Sequence, residues 1–300
     1  MRKVRVAPKG MGINDFVAEA EGFFADEGIQ VEWDIKTFRG TQSKWVENKY
    51  LQRPQDKPYT ESKDPKDGSG LIQCACLWGT ISNAGAGMGR FVGDCYGVSP
   101  WAIFVKADSK IRKPQDLADV PIGVGMRAGS HFNVPYRLEQ YLPLEKIKTV
   151  NSGGFGARLK ALLDGEVQAA SLLPPQIDMA KQLGLRAVIE DEFKTLWWVP
   201  ETAKQEDVRA YLRGLDRAEK ALQTDLRKYL PLWEKCVPPE FKDGYQWNFR
   251  NFTRGERFVY QPLPRSDYDM VMDQVKRWKL DDYLKETSFD KLVYRAPATV

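Results

Sequence analysis

From Leu71 to Asp191 the chain alternates short apolar runs with amphipathic stretches, and this alternation constrains the fold more than any other feature. LIQCACLW (71–78) reads as a buried strand, and GTISNAGAGMGR (79–90) as a glycine-rich turn into a helix of small residues. FVGDCYGV, WAIFV, PIGVG, VQAASLLPP and RAVIED read as further strands. Between them KPQDLAD, SHFNVPYRLEQYL (from Ser130), GARLKALLDG (to Gly165) and PQIDMAKQLG have helical spacing. Strands interleaved with helices are the signature of a parallel α/β sheet.

The flanks extend the pattern. Lys3–Val6 alternates like a strand, Ile13–Asp26 has one apolar helical face stopped by Gly28, and IQVEWDI alternates again. QSKWVENKYL reads as a short helix and residues 52–70 as an exposed loop rich in Pro, Lys and Asp. After TLWWVP (Thr195–Pro200) the strands are expected to stop. EDVRAYLRGLDRAEKALQ carries an apolar stripe of Val208, Leu212, Leu215, Ala218 and Leu222, and helices follow in LRKYLPLWEKC, DYDMVMDQVKRW and LDDYLK. Two α/β units joined near Val98–Val105 and again near Thr195–Pro200 give two lobes, residues 1–100 with 200–300 and residues 101–199. A ligand cleft is expected between them.

Composition removes several classes of function. Lys plus Arg is 45 against 41 for Asp plus Glu, a formal +4, and no basic cluster is interleaved with aromatics, so nucleic acid is not an expected partner. No run approaches the roughly 18 apolar residues of a membrane helix. The start MRKVRVAPKGMGIND is basic but lacks the apolar stretch of an export signal, so a cytoplasmic chain is expected, or a periplasmic one if a leader has been removed. Cys74 and Cys76 fall two apart on one strand, and with Cys95 and Cys236 are expected to be ordinary buried thiols. With one histidine in the chain, a Cys/His metal site is not expected, nor is any cofactor. GVGMRAG (123–129) spaces its glycines Gly-x-Gly-x-x-x-Gly and lacks the downstream acidic residue of a dinucleotide site.

AEAEGFFADEGIQVEWD, SPWAIFVKADSKIRKPQDLAD, PIGVGMRAGSH, ARLKALLDGEVQAASLLPP and EDVRAYLRGLDRAEKAL occur in that order. Together they resemble the type II solute-binding proteins of the nitrate, sulfonate and thiamine-pyrimidine branch. The resemblance spans most of residues 1–225 and implies two α/β lobes with C-terminal helices packed on the first. It departs from that branch at two chemistries. The iron-binding cysteine-rich motif of the pyrimidine synthases is not matched by CAC at 74–76, and the cysteine of the sulfinate-cleaving relatives falls near Lys9, where there is none.

Ligands of open α/β sheets sit beyond the carboxyl ends of strands, against helix N-termini whose amides and dipole seat anions. Three such junctions are readable. Lys9 and Asn14 flank the first, Trp78, Thr80, Ser82 and Asn83 the second, and Arg127, Ser130 and His131 the third. Lys9 and Arg127 suit an acidic group, while Ser82 and Asn83 suit ligand oxygens or a helix cap. Trp78 suits a planar ligand or the core. His131 alone titrates near neutrality when unperturbed and suits a proton donor or acceptor. Two functions follow. The first is a receptor that binds a small organic anion (carboxylate, sulfonate or similar, aromatic ones included) and serves an ABC permease if exported. The second is a cytoplasmic lyase on the same fold, a decarboxylase, desulfinase or dehydratase using His131.

Overall fold

The computed structural model describes residues 1–8, 10–34, 71–125, 129–278, 281 and 284–294. In chain order its elements are β1 (Arg2–Val6), α1 (Asn14–Ala20), α2 (Phe23–Asp26), β2 (Ile29–Trp33), β3 (Leu71–Cys76), α3 (Leu77–Gly85) and β4 (Arg90–Val92). Then come β5 (Tyr96–Val105), β6 (Pro121–Val124), α4 (Gly129–Leu138), β7 (Lys148–Asn151), α5 (Phe155–Asp164), β8 (Ala169–Leu172), α6 (Gln176–Gln182) and β9 (Arg186–Val199). The last third holds α7 (Gln205–Thr224), α8 (Leu226–Tyr229), β10 (Arg257–Val259), α9 (Arg265–Arg277), α10 (Phe289–Leu292) and β11 (Val293–Tyr294).

The strands form one sheet in the order β2-β1-β3-β9-β5-β8-β6-β7. Strands β2, β1 and β3 run parallel, as do β8, β6 and β7, and each set borders one of two long antiparallel strands, β9 and β5. Helices from both ends of the sheet share two apolar layers. One joins Val17, Tyr211 and Leu215 to Leu159 and Met179, and the other joins Trp78 and Ile81 to Phe132, Val271 and Val275.

The C-terminal helix α7 packs back on α1 and α2. Its stripe Val208, Leu212, Leu215, Ala218 and Leu222 is at most 2% exposed, and Tyr211 stacks on Phe24 at 5.5 Å. The surrounding ion pairs Arg2–Asp207, Arg213–Glu27 and Arg217–Asp26 are at the surface. Exposed pairs contribute about 0–1 kcal/mol each, whereas each large buried side chain contributes about 1.5–3 kcal/mol, so the stripe holds α7 in place.

Several expectations are corrected. The single helix over Ile13–Asp26 is two, because the chain turns at Gly22 with φ of 75°, outside the helical region. Strand β3 ends at Cys76 rather than Trp78, where α3 begins. RAVIED and TLWWV are one 14-residue strand running through exposed Glu190–Glu192, whose polar side chains hide its continuity. The strands do not stop at Pro200: β10 pairs with β5, and β11 with β4. Strands of two and three residues are too short to show a period. The helix read at 42–51, the loop at 52–70 and part of LDDYLK lie outside the described residues.

Gly214 faces the Phe24 ring, and a Cβ there would sit 2.5 Å from it. Overpacking costs about 1–3 kcal/mol and the gain in helix propensity is at most about 1 kcal/mol. Gly214→Ala is therefore expected to destabilise the protein by roughly 1 kcal/mol net, read as a lower melting temperature.

Candidate functional site

Strand register locates a candidate site. Strand β3 runs from Gln73 opposite Trp198 to Cys76 opposite Thr195, so its C-terminal end points toward the middle of β9. Strand β8 runs from Ala170 opposite Phe104 to Leu172 opposite Ala102, so its C-terminal end points toward the middle of β5. Ala102 pairs with Glu190, five residue steps along β9 from Thr195, or about 17 Å at ~3.4 Å per residue. Both parallel sets thus end facing one stretch of the β5–β9 ladder, centred where Ser99 pairs with Phe193.

The strand-to-helix junctions converge there. Met11, between β1 and α1, receives the Ser99 hydroxyl on its sulfur at 3.9 Å. At the start of α4, a Cβ on Gly129 would lie 3.0 Å from the Cys76 Cβ and 3.1 Å from the Phe193 ring. The first turn of α4 therefore closes directly onto the β3–α3 junction and the ladder. At α3, the Cys76 sulfur accepts the Gly79 amide at 3.3 Å, while α5 begins at Gly154 with no side-chain cap.

The expected site residues divide by position. Lys9 and Arg127 lie outside the described residues. Asn14 opens α1 but donates its amide to Glu219 at 2.9 Å, tying α1 to α7. Trp78 is 2% exposed, stacks on Phe132 of α4 at 6.1 Å and meets Tyr136 edge-on at 5.3 Å, so it packs the α3–α4 contact. The Thr80 hydroxyl donates to the Leu196 carbonyl at 3.5 Å. Because α3 starts at Leu77, Ser82 and Asn83 fall beyond its first turn and do not cap it. The Ser82 hydroxyl and the Asn83 amide nitrogen are buried and have no hydrogen-bond partner among the described residues. Ser130 accepts the Gly125 amide at 3.0 Å, linking the start of α4 to the residue that follows β6. His131 is buried in the first turn of α4, its ring 5.7 Å from that of Phe132.

Other buried polar side chains escape sequence reading. Among the described residues Gln73, Asn133 and Gln176 are fully buried with no hydrogen bond to either amide atom, and the buried Ser152 hydroxyl between β7 and α5 likewise has none. An unmade buried hydrogen bond costs about 1–3 kcal/mol, which marks these as atoms available to water or ligand. A glutamine inside the apolar run LIQCAC was the one signal in the sequence. Among the described residues no three His, Cys, Asp or Glu side chains gather as a metal site, and no helix is long and apolar enough to cross a membrane.

On the α6 side, Asp178 is 3% exposed and accepts both the amide and the hydroxyl of Thr253, at 3.0 and 2.9 Å. Burial raises its carboxyl above the ordinary range, and these two bonds offset part of that rise.

The sequence matches no protein-family model and no curated protein. The structure is similar to the alkanesulfonate-binding protein SsuA from Xanthomonas axonopodis pv. citri bound to MOPS, with 15% identity over 99% of both chains and a TM-score of 0.68. It is similar to the periplasmic aliphatic sulphonate binding protein SsuA from Escherichia coli, with 12% identity over 96% of both chains and a TM-score of 0.66. It is also similar to the desulfurization enzyme DSZB, with 14% identity over 98% of this chain and 97% of that one and a TM-score of 0.60. At these identities the likeness is one of fold.

Asp178 yields a signed pH prediction. Its proton is held more tightly in the folded chain than in the unfolded one, so its contribution to stability is largest below about pH 4 and is lost as pH rises through its folded value. Asp178→Asn keeps an acceptor for Thr253 and removes the charge. Melting curves from pH 4 to 8 are expected to show the variant gaining on the wild type as pH rises; a constant difference would refute this.

Proposed function

With the two-lobed fold of the type II solute-binding superfamily as premise, we propose that this chain binds a small organic anion, a sulfonate or carboxylate, in the cleft over the β5–β9 ladder. The lobes are residues 1–100 with 200–300, and 101–199. The observation that carries this reading is the register. It aims two sets of parallel strands at one stretch of ladder, so the N-termini of α3, α4 and α5 follow from strand ends that face it. Backbone amides and helix dipoles at such termini favour an anion. Lys9 and Arg127 supply positive charge, and Asn14, Trp78, Thr80, Ser82, Asn83, Ser130 and His131 form or brace the walls. The sulfonate-binding proteins of the same fold support this class of ligand. In that role the partner is an ABC permease, and a periplasmic location goes with it.

A second reading has one observation in its favour, the similarity to a desulfurization enzyme. In it His131, in the first turn of α4, moves a proton on a small organic acid held by Lys9 or Arg127.

A thermal-shift screen of the full chain against alkane- and arylsulfonates, sulfinates and carboxylates separates the two. A binder at 100 times its Kd gains about 2.7 kcal/mol of stability, and mass spectrometry recovers the compound unchanged. Ser130→Ala, which loosens the β6–α4 turn, is expected to weaken that binding about tenfold. A product mass that disappears with His131→Ala would replace the receptor with the lyase.

A further inference from the structure

Four consecutive residues in the C-terminal third, Thr253 to Glu256, touch α6, α7, the β1–α1 junction and the β5–β9 ladder. Thr253 gives its amide and hydroxyl to Asp178 of α6, at 3.0 and 2.9 Å, and its carbonyl accepts the Trp233 indole at 2.8 Å. Arg254 pairs with Glu219 of α7, the same carboxylate that receives Asn14 at the start of α1 and the Phe258 amide, each at 2.9 Å. Gly255 bridges to Gly12 in the β1–α1 junction. Its φ is 70°, and a Cβ there would lie 2.4 Å from the Met11 carbonyl oxygen, so both conformation and space demand glycine. Glu256 donates its amide to the Met11 carbonyl at 2.7 Å, and its carboxylate, 5% exposed, accepts the Thr195 hydroxyl of β9 at 3.1 Å. The same carboxylate lies 2.3 Å from where a Cβ on Gly97 of β5 would stand, so the glycine makes its seat against the ladder.

We propose that Thr253–Glu256 is a positioning clip that sets the β1–α1 junction against the β5–β9 ladder and ties it to α6 on the opposite wall, with Glu256 as its principal positioning residue. The ligand-binding consequence rests on the anion-receptor reading above; the mechanical one does not. Covering a core requires none of this geometry. A segment that only packed would present apolar side chains, whereas here the contacts are directed hydrogen bonds, an ion pair and a backbone bridge to several separate parts of the fold. Met11 completes the link, since its carbonyl is held by Glu256 while its sulfur faces Ser99 at the centre of the ladder. Displacement of the clip at either end is therefore transmitted to the junction that offers the first helix terminus to the cleft.

Hydrogen–deuterium exchange by mass spectrometry on the full chain tests this, with butanesulfonate and benzoate as binding probes. Thr253→Val touches α6 alone, yet is expected to raise exchange at least tenfold in the peptide covering Met11–Asn14. Glu256→Ala is expected to do the same and to weaken whichever probe binds about tenfold, while Glu256→Gln, which can still accept from Thr195, recovers most of both. Exchange changes confined to 176–182 in Thr253→Val would overturn the clip. So would a uniform rise across the chain in the Glu256 variants, the mark of general support. If Glu256→Ala fails to fold, Thr253→Val and Glu256→Gln decide the matter on the same peptide. If neither probe binds the wild type, the receptor reading loses its support, and the exchange pattern still confirms or overturns the clip.

Discussion

The antiparallel pairing of β5 with β9 is the constraint on which the molecule depends. Among the described residues each parallel set has three strands, and each is finished by one of these two, β3 by β9 and β8 by β5. The ladder runs from Gly97 opposite Thr195 to Val105 opposite Arg186, with one irregularity between Ile103 and Phe104. Because the two strands belong to both halves, the apolar cores divide by sheet face rather than by half. The helices of one half cannot shift without strain in the layer they share with the other.

Buried charge gives the second level of organisation. Asp178, Glu219 and Glu256 are 3–5% exposed, and an uncompensated carboxylate at such depth costs several kcal/mol. Each is met by donors from a distant part of the chain: Thr253 for Asp178, Asn14 and Arg254 for Glu219, and Thr195 for Glu256. Such contacts contribute little net stability but penalise every arrangement that leaves the carboxylate alone. They select one relative placement of junctions, ladder and C-terminal segment where apolar packing would accept several.

The alternation from Leu71 onward and the apolar stripe of α7 were legible because each is a local periodicity, whereas β5 runs unbroken through the junction expected near Val98–Val105. The α4 junction was legible too, since Gly-x-Gly followed by Ser130 announces a strand–turn–helix. The continuity of β9 was hidden by exposed Glu190–Glu192, and β10 and β11 by their brevity. Among the candidate residues, Ser130 in the first turn of α4 accepts the Gly125 amide. Ser82 and Asn83 moved one turn deeper when α3 began at Leu77, and Asn14 turned to Glu219, 205 residues away.

The sequence by itself determined most of the helices and longer strands and their order, and with them an α/β architecture with helix N-termini at its strand ends, because hydrophobic period and turn residues act over a few positions. The antiparallel β5–β9 centre of the sheet had no such local signal. Only the tertiary structure decided which of those ends face one another and which polar residues serve the framework instead of the cleft. Strand register and buried hydrogen bonds join residues far apart in the chain, as Cys76 to Thr195, Met11 to Glu256 and Asn14 to Glu219, and no local pattern encodes such a partner.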